Sequence, residues 1–216
     1  MQLLKRFVRF VLILLGAYVA AQFAIRLLRR LFPFPVPPIM SPLLDAPVRE
    51  LSQPRQGTLQ RIGLQQGMRA LEVGAGPGYF TVQAAQLLGP EGHLTSIDVQ
   101  PQMVAQVLEK VQREGLQNVD AQVADAKSLP FPDGSFDLAF LVAVMGSFTD
   151  RGRALRELRR VLKPDGRLSI TEAVADPDFQ LMPAVVRWAQ MVGFELVEQH
   201  GNALQYTLNF RSIIGP

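Results

Sequence analysis

Three glycines at alternate positions, Gly74, Gly76 and Gly78, follow a short apolar run with one acid inside it, in the stretch RALEVGAGPGYF over residues 69–80. No other stretch limits the possible folds of this chain so strongly. Ala70, Leu71 and Val73 read as a short buried strand, and residues 79–88 carry apolar side chains at helical spacing. A strand, a tight glycine turn and a helix start are the way a parallel α/β sheet opens a nucleotide-sized crevice. Gly74 and Gly76 let the chain turn sharply off the strand and leave room for a ligand against backbone. Glu72 is the discordant residue, because a carboxylate at the end of a buried strand is costly unless a cation or a hydrogen-bond donor meets it.

Two nucleotide-binding readings compete for this turn. A dinucleotide fingerprint needs G-x-G-x-x-G, but its third glycine position holds Tyr79, and Gly78 arrives one residue early. An acid entering the turn is unhelpful beside a pyrophosphate, and no Walker lysine follows. The spacing E-x-G-x-G-x-G instead resembles motif I of the class I S-adenosylmethionine (SAM) methyltransferases. Their cofactor carries an ammonium and a sulfonium and no phosphate, which makes sense of the acid. The resemblance implies that Glu72, Gly74, Ala75, Gly76 and Gly78 contact SAM.

Charge divides the chain. Six of the 22 Lys and Arg precede residue 31 and no Asp or Glu precedes Asp45, so the remainder holds 16 basic against 19 acidic residues, net −3. A basic balance confined to one end argues against nucleic-acid partners and toward a membrane surface. Residues 10–25 contain one strongly polar residue, Gln22, and the run reaches Leu28 if Arg26 snorkels, which gives the ~20 residues a bilayer requires. Residues 1–31 are therefore expected to be an N-terminal hydrophobic helix acting as a transmembrane or membrane anchor. A cleavable signal peptide and an amphipathic helix in the interface are the competing readings. The flanking charges balance, so the expected placement of the catalytic domain in the cytoplasm, behind a single-pass anchor, rests on where SAM is found. Residues 32–44 follow as a proline-rich linker, extended rather than helical. Cysteine is absent, which excludes disulfides and thiolate chemistry, and two histidines argue against a metal site.

Residues 45–216 form the expected catalytic domain. Helices broken at Pro54 cover residues 47–64, where methyltransferases of this class carry a lid. Strands follow at residues 93–99, 119–123, 136–144 and 167–171, with helices at 101–113, 151–162 and 179–192, then strands at 194–199 and 204–210. Five βα units and a hairpin predict an α/β, Rossmann-like, doubly wound, mostly parallel sheet. The family resemblance implies seven strands in the order 3-2-1-4-5-7-6 with the last antiparallel.

Asp98 lies 24 residues after Gly74, at the carboxyl end of the second strand. A carboxylate there can accept from both ribose hydroxyls in SAM and NAD enzymes alike. Asp125 and Ala126, in VADAKSLPFPDGSFDLAF, resemble the motif that holds the adenine of SAM, and LRELRRVLKPDGRLSITE over residues 155–172 also matches that family. The match is especially to its branch resembling the ubiquinone and menaquinone biosynthesis methyltransferases, and the resemblance as a whole covers about residues 45–210. It implies cofactor contacts at Val99 and Leu141 as well. Relatives often place a polar residue near the methyl group, whereas LVAVMGSFTD here puts Met145 and Phe148 at an apolar rim, as substrate-pocket candidates.

His93 begins its strand and is expected to be structural; His200 lies in the last hairpin. Glu172, at the end of the fifth strand, is the best of a weak set of catalytic bases. Methyl transfer tolerates this poverty, since the sulfonium is an activated donor and a base is needed only if the acceptor must lose a proton. The helix over residues 151–163 carries six cations against Glu157, a solvated face or one that leans on anionic lipid. The expected activity is a SAM-dependent methyltransferase (EC 2.1.1.-) that acts on a small lipophilic acceptor and releases S-adenosylhomocysteine. The alternatives are a SAM-binding or membrane scaffold without catalysis and, less supported, a nicotinamide-dependent oxidoreductase.

Overall fold

The computed structural model describes residues 41–47 and 49–213, together with residues 6–14, 16–17, 20, 24–25, 37 and 39. Parts of the expected membrane anchor and most of the proline-rich linker lie outside the described residues. Residues 6–14 are helical, and Phe7, Phe10, Leu12 and Ile13 on them are exposed. Among the described residues no helix is long and apolar enough to cross a membrane.

Three short helices come first: α1 (Ser41–Leu44), α2 (Arg49–Ser52) and α3 (Arg55–Ile62). The first of these was not expected, because its start falls in the proline-rich linker. Pro42 sits in the opening turn of α1, where a missing N–H leaves no intrahelical bond unmade. Pro54 separates α2 from α3, as the sequence indicates, and its carbonyl accepts from the Thr58 N–H in the first turn of α3.

The alternation that follows is β1 (Arg69–Val73), α4 (Thr81–Leu88), β2 (His93–Asp98), α5 (Pro101–Arg113), β3 (Val119–Val123), β4 (Phe136–Val142), α6 (Arg151–Val161), β5 (Leu162–Ala173), α7 (Met182–Met191), β6 (Phe194–Gly201) and β7 (Gln205–Ser212). The seven strands take the order β3-β2-β1-β4-β5-β7-β6. β7 runs antiparallel to both of its neighbours, and the others pair in parallel. Period-two alternation divides the core. Ala70, Leu138 and Phe140 face α3, α4 and α5, while Leu71, Ala139 and Leu141 face α6 and α7.

Three boundaries move for identifiable reasons. β4 stops at Val142 because Ala143 adopts φ 59, a left-handed conformation incompatible with a strand, and a 3₁₀ turn occupies Met145–Ser147. β5 begins at Leu162, ahead of the expected residue 167, because Leu162 already pairs with Phe136; residues 163–166 then bulge out of the ladder before Arg167 pairs with Leu138. α7 begins at Met182, not 179: Phe179 packs on the Tyr206 ring, and Gln180 donates its N–H to Glu172 Oε2 at 3.0 Å. Those residues hold the sheet, and the helix starts beside Pro183.

Candidate functional site

At the carboxyl ends of β1 to β4, where a doubly wound sheet reverses its order, lies a cavity of about 270 Å³. Glu72, Gly74, Ala75, Gly76, Asp98, Val99, Asp125, Ala126 and Phe148 all line it, so the separate motifs of the sequence meet at one place. Gly78, Leu141, Met145 and Glu172 are not among the lining residues. Gly78 instead brings α4 against α5: a Cβ added to it would lie 3.3 Å from Val107. Leu141 points to the α6–α7 face, one residue out of phase with Phe140 and Val142, which do line the cavity. Met145 is buried in the same core.

The glycine turn is closed on itself. Gly74 N–H and Ala75 N–H both donate to the Ile97 carbonyl, Gly76 N–H donates to Asp98 Oδ2 at 2.9 Å, and Gly78 N–H donates to the Ala75 carbonyl. Pro77 has no N–H. No amide of the turn is therefore left to cradle a phosphate, which is what a dinucleotide would require. Gly74 and Gly76 take φ 71 and 55, which L side chains rarely adopt. A Cβ at Gly74 would lie 2.6 Å from Val144, whereas one at Gly76 meets nothing within 4 Å. Gly74 thus serves close packing, and Gly76 keeps open the space in front of the turn.

Glu72 is buried, and its Oε2 accepts from Thr81 Oγ1 and Ser96 Oγ, each at 2.6 Å. Burial nevertheless prevails over the two donors and pushes its carboxyl up to about 7. Asp98 accepts Gln100 N–H on Oδ1 and Gly76 N–H on Oδ2, tying the glycine turn to the end of β2, and burial raises its pKa too. Asp125 Oδ1 accepts the Lys127 N–H, and Oδ2 lies 3.4 Å from Lys127 Nζ. Three carboxylates at the ends of β1, β2 and β3, two of them held above their ordinary pKa, make an acceptor set that suits a cationic ligand with hydroxyls.

Among the lining residues that the sequence did not single out are Arg49, Lys127, Ala143 and Asp176. Arg49 stacks on Tyr79, 4.5 Å from the ring centroid, and donates to the Leu44 carbonyl and to Gln53 Oε1. Tyr79, at the position where a dinucleotide fingerprint has glycine, donates its hydroxyl to Glu50 Oε2 and the Gln53 carbonyl. The segment from α1 to α2 is thereby fastened beside the cavity, and Lys110–Asp45 adds an ion pair at 2.6 Å.

Residues outside the cavity have structural tasks. Glu172 is fully buried, with Oε2 on Gln180 N–H and Oε1 lacking a hydrogen-bond partner, and burial holds its carboxyl well above the usual range. His93 pairs with Asp120 at 2.9 Å and His200 lies 3.7 Å from Glu198. Of the six cations at residues 151–163, Arg151 caps the Met145 and Gly146 carbonyls, Arg153 the Lys127 carbonyl and Arg160 the Leu129 and Phe131 carbonyls, while Lys163 pairs with Asp137. Among the described residues no cluster of His, Asp or Glu could hold a metal ion.

A family model described as a methyltransferase domain matches residues 64–210. The chain is 36% identical over 116 residues to the ubiquinone/menaquinone biosynthesis C-methyltransferase UbiE of Pasteurella multocida, covering 53% of this chain and 43% of that one. It is 36% identical over 115 residues to a demethylmenaquinone methyltransferase of Listeria welshimeri, covering 53% and 49%. The chain thus spans about half the length of these curated relatives. A crystal structure of a SAM-dependent methyltransferase from Aquifex aeolicus superposes with a TM-score of 0.78 at 24% identity, covering 83% of this chain and 100% of that one. With a closed glycine turn, an acid-lined cavity and this match over most of its length, the chain belongs to the methyltransferase-domain family, and its cofactor is SAM.

Proposed function

We propose that this protein transfers a methyl group from SAM to a small lipophilic acceptor of the quinone kind, and that its N-terminal residues hold it at a membrane. The observation that carries the reading is the make-up of the cavity: carboxylates stand at the ends of β1, β2 and β3, and apolar Val142, Val144 and Phe148 line it at and after the end of β4. On this reading Asp98 takes the ribose hydroxyls, Asp125 and Ala126 the adenine, and Glu72 the ammonium. When bound, the cofactor supplies a methyl on a sulfonium, whose carbon–sulfur bonding pair stays with sulfur as the acceptor's pair forms the new bond. The chain's own residues bind, orient and exclude water, and orientation of this kind is credited with roughly 7–11 kcal/mol of barrier.

The printed names of the Pasteurella and Listeria relatives support the quinone-like acceptor. The exposed apolar side chains of residues 7–14 and the net positive charge of the first 31 residues support the membrane. Incubating the full chain with methyl-labelled SAM, phospholipid vesicles and reduced naphthoquinones tests the proposal. Label in the quinone fraction is expected. Binding of S-adenosylhomocysteine without any transfer would favour the scaffold, and calorimetric binding of NADH in its place would favour the oxidoreductase.

A further inference from the structure

Glu172 is a buried acid that lies near the end of β5 and outside the cavity lining. Its Oε2 accepts the Gln180 N–H at 3.0 Å. Gln180 in turn accepts the Tyr206 hydroxyl on its carbonyl at 2.6 Å and donates its side-chain Nε2 to the Asp178 carbonyl at 2.6 Å. Glu172 and Tyr206 are partners across the antiparallel pair of β5 and β7, so the two groups that grip the Gln180 backbone stand side by side on the sheet. The loop after β5 is clasped there.

That loop lies directly on the turn after β4. A Cβ added to Gly146 would collide with the Asp178 carbonyl and lie 2.5 Å from the Asp178 Cβ and 2.8 Å from Gln180 Nε2, so only glycine lets the two segments touch. Ser147 Oγ, the next residue along, donates to Asp178 Oδ2 at 2.8 Å. From α6, Arg151 donates to the Met145 and Gly146 carbonyls and sits 4.7 Å from the ring centroid of Trp188 on α7. On its other side the same turn is cavity wall, for Val144, Ser147 and Phe148 all line the cavity. Contacts therefore run without a break from Glu172 through Gln180 and Asp178 to the apolar lining.

Resting on the methyl-transfer reading, we propose that Glu172 is a positioning residue for the acceptor: it holds the loop after β5 against the turn after β4, and that contact sets where the wall carrying Val144 and Phe148 stands. The cofactor end, built on β1, β2 and β3, is not part of this chain of contacts. An uncharged carboxyl suits the task, because it accepts the Gln180 N–H without placing a charge in a dry site. Burial favours that form, Asp176 and Asp178 from the loop oppose ionisation, and the Gln180 and Met145 amides favour it. Arg151 from α6 and Tyr206 from β7 are the other titratable groups on which its charge acts. Glu172→Gln keeps the shape and the accepting oxygen. Glu172→Leu keeps the bulk and deletes the oxygen, and Gly146→Ala parts the same contact from the opposite side.

The test measures acceptor KM, kcat and S-adenosylhomocysteine affinity for these three variants of the full chain, with a reduced naphthoquinone as acceptor. Glu172→Leu is expected to raise acceptor KM about tenfold, the worth of one lost buried hydrogen bond, with kcat and S-adenosylhomocysteine affinity unchanged. Gly146→Ala should act in the same sense and at least as strongly, and Glu172→Gln should stay near the parent. A readout that needs no turnover is acrylamide quenching of Trp188, the single tryptophan: Arg151 joins its ring to the turn, so quenching should rise in Glu172→Leu and Gly146→Ala but not in Glu172→Gln. An unchanged KM in Glu172→Leu, equal losses in Glu172→Leu and Glu172→Gln, or a fall in S-adenosylhomocysteine affinity that matches the rise in KM would overturn the role. A parent that binds S-adenosylhomocysteine but methylates no naphthoquinol overturns the methyl-transfer reading instead, whereas quenching unchanged in both disruptive variants removes the brace itself.

Discussion

Glu72 shows how a single buried carboxyl shapes the behaviour of the site. Its folded pKa of about 7 lies above its ordinary 4.5, so between those values the folded state binds the extra proton. Stability is full below about 4.5, falls as pH rises through the window, and above 7 carries the whole cost of the charge, of order 3 kcal/mol. Glu72→Gln should therefore flatten the decline in thermal midpoint between pH 5 and pH 8 while weakening binding of the cationic cofactor; a parallel decline in the variant would refute the burial argument. At Gly76 a side chain meets no protein atom, so Gly76→Ala should cost only the strain of φ 55, about 1–2 kcal/mol, and yet lose most of the affinity for S-adenosylhomocysteine. Asp98→Ala should lower that affinity by about 1–3 kcal/mol, read by calorimetry. Glu72, Asp98 and Asp125 were legible in the sequence because each ends a strand at motif spacing. Leu141 was misplaced because alternation along β4 puts it on the far face. Arg49 and Asp176 lay hidden because their positions depend on how short loops fold over the sheet, which no periodicity records.

At the scale of elements, α2 lines the cavity with Arg49 and is fastened beside it by Tyr79. Its hydroxyl donates to Glu50 and to the Gln53 carbonyl, and its ring carries the Arg49 and Arg55 guanidiniums at 4.5 and 4.1 Å. Tyr79→Phe keeps the ring and deletes two hydrogen bonds. It should cost about 1–2 kcal/mol locally and speed hydrogen exchange over residues 49–53 while leaving β1 and β2 protected. Equal exchange in parent and variant would mean that the stacked cations alone hold α2. The helices and parallel strands were readable from their apolar spacing, with α5 and β3 found at their expected bounds. Ends set by tertiary contacts were not: the α7 start depends on Phe179 and Gln180 reaching Tyr206 and Glu172, and the β4 end depends on a left-handed alanine.

For the molecule as a whole, alternation of strands and helices, together with the family resemblance, was enough to anticipate the sheet order, because crossover handedness leaves few ways to wind five βα units. The membrane role rests on composition, and deletion of residues 1–40 tests it. The truncated protein should bind S-adenosylhomocysteine as the parent does, methylate a short-chain quinol at a near-normal rate and lose most of its activity on a quinone embedded in vesicles. Loss of cofactor affinity would show instead that the first residues complete the domain. The placement of α1 bears on how such an attachment works. Leu44, the last residue of that helix, is itself part of the cavity wall, and Arg49 follows five positions later. Under the proposed attachment, the first element that follows residue 40 is one that lines the cavity, so a change in it acts on the site before it acts on any strand of the sheet.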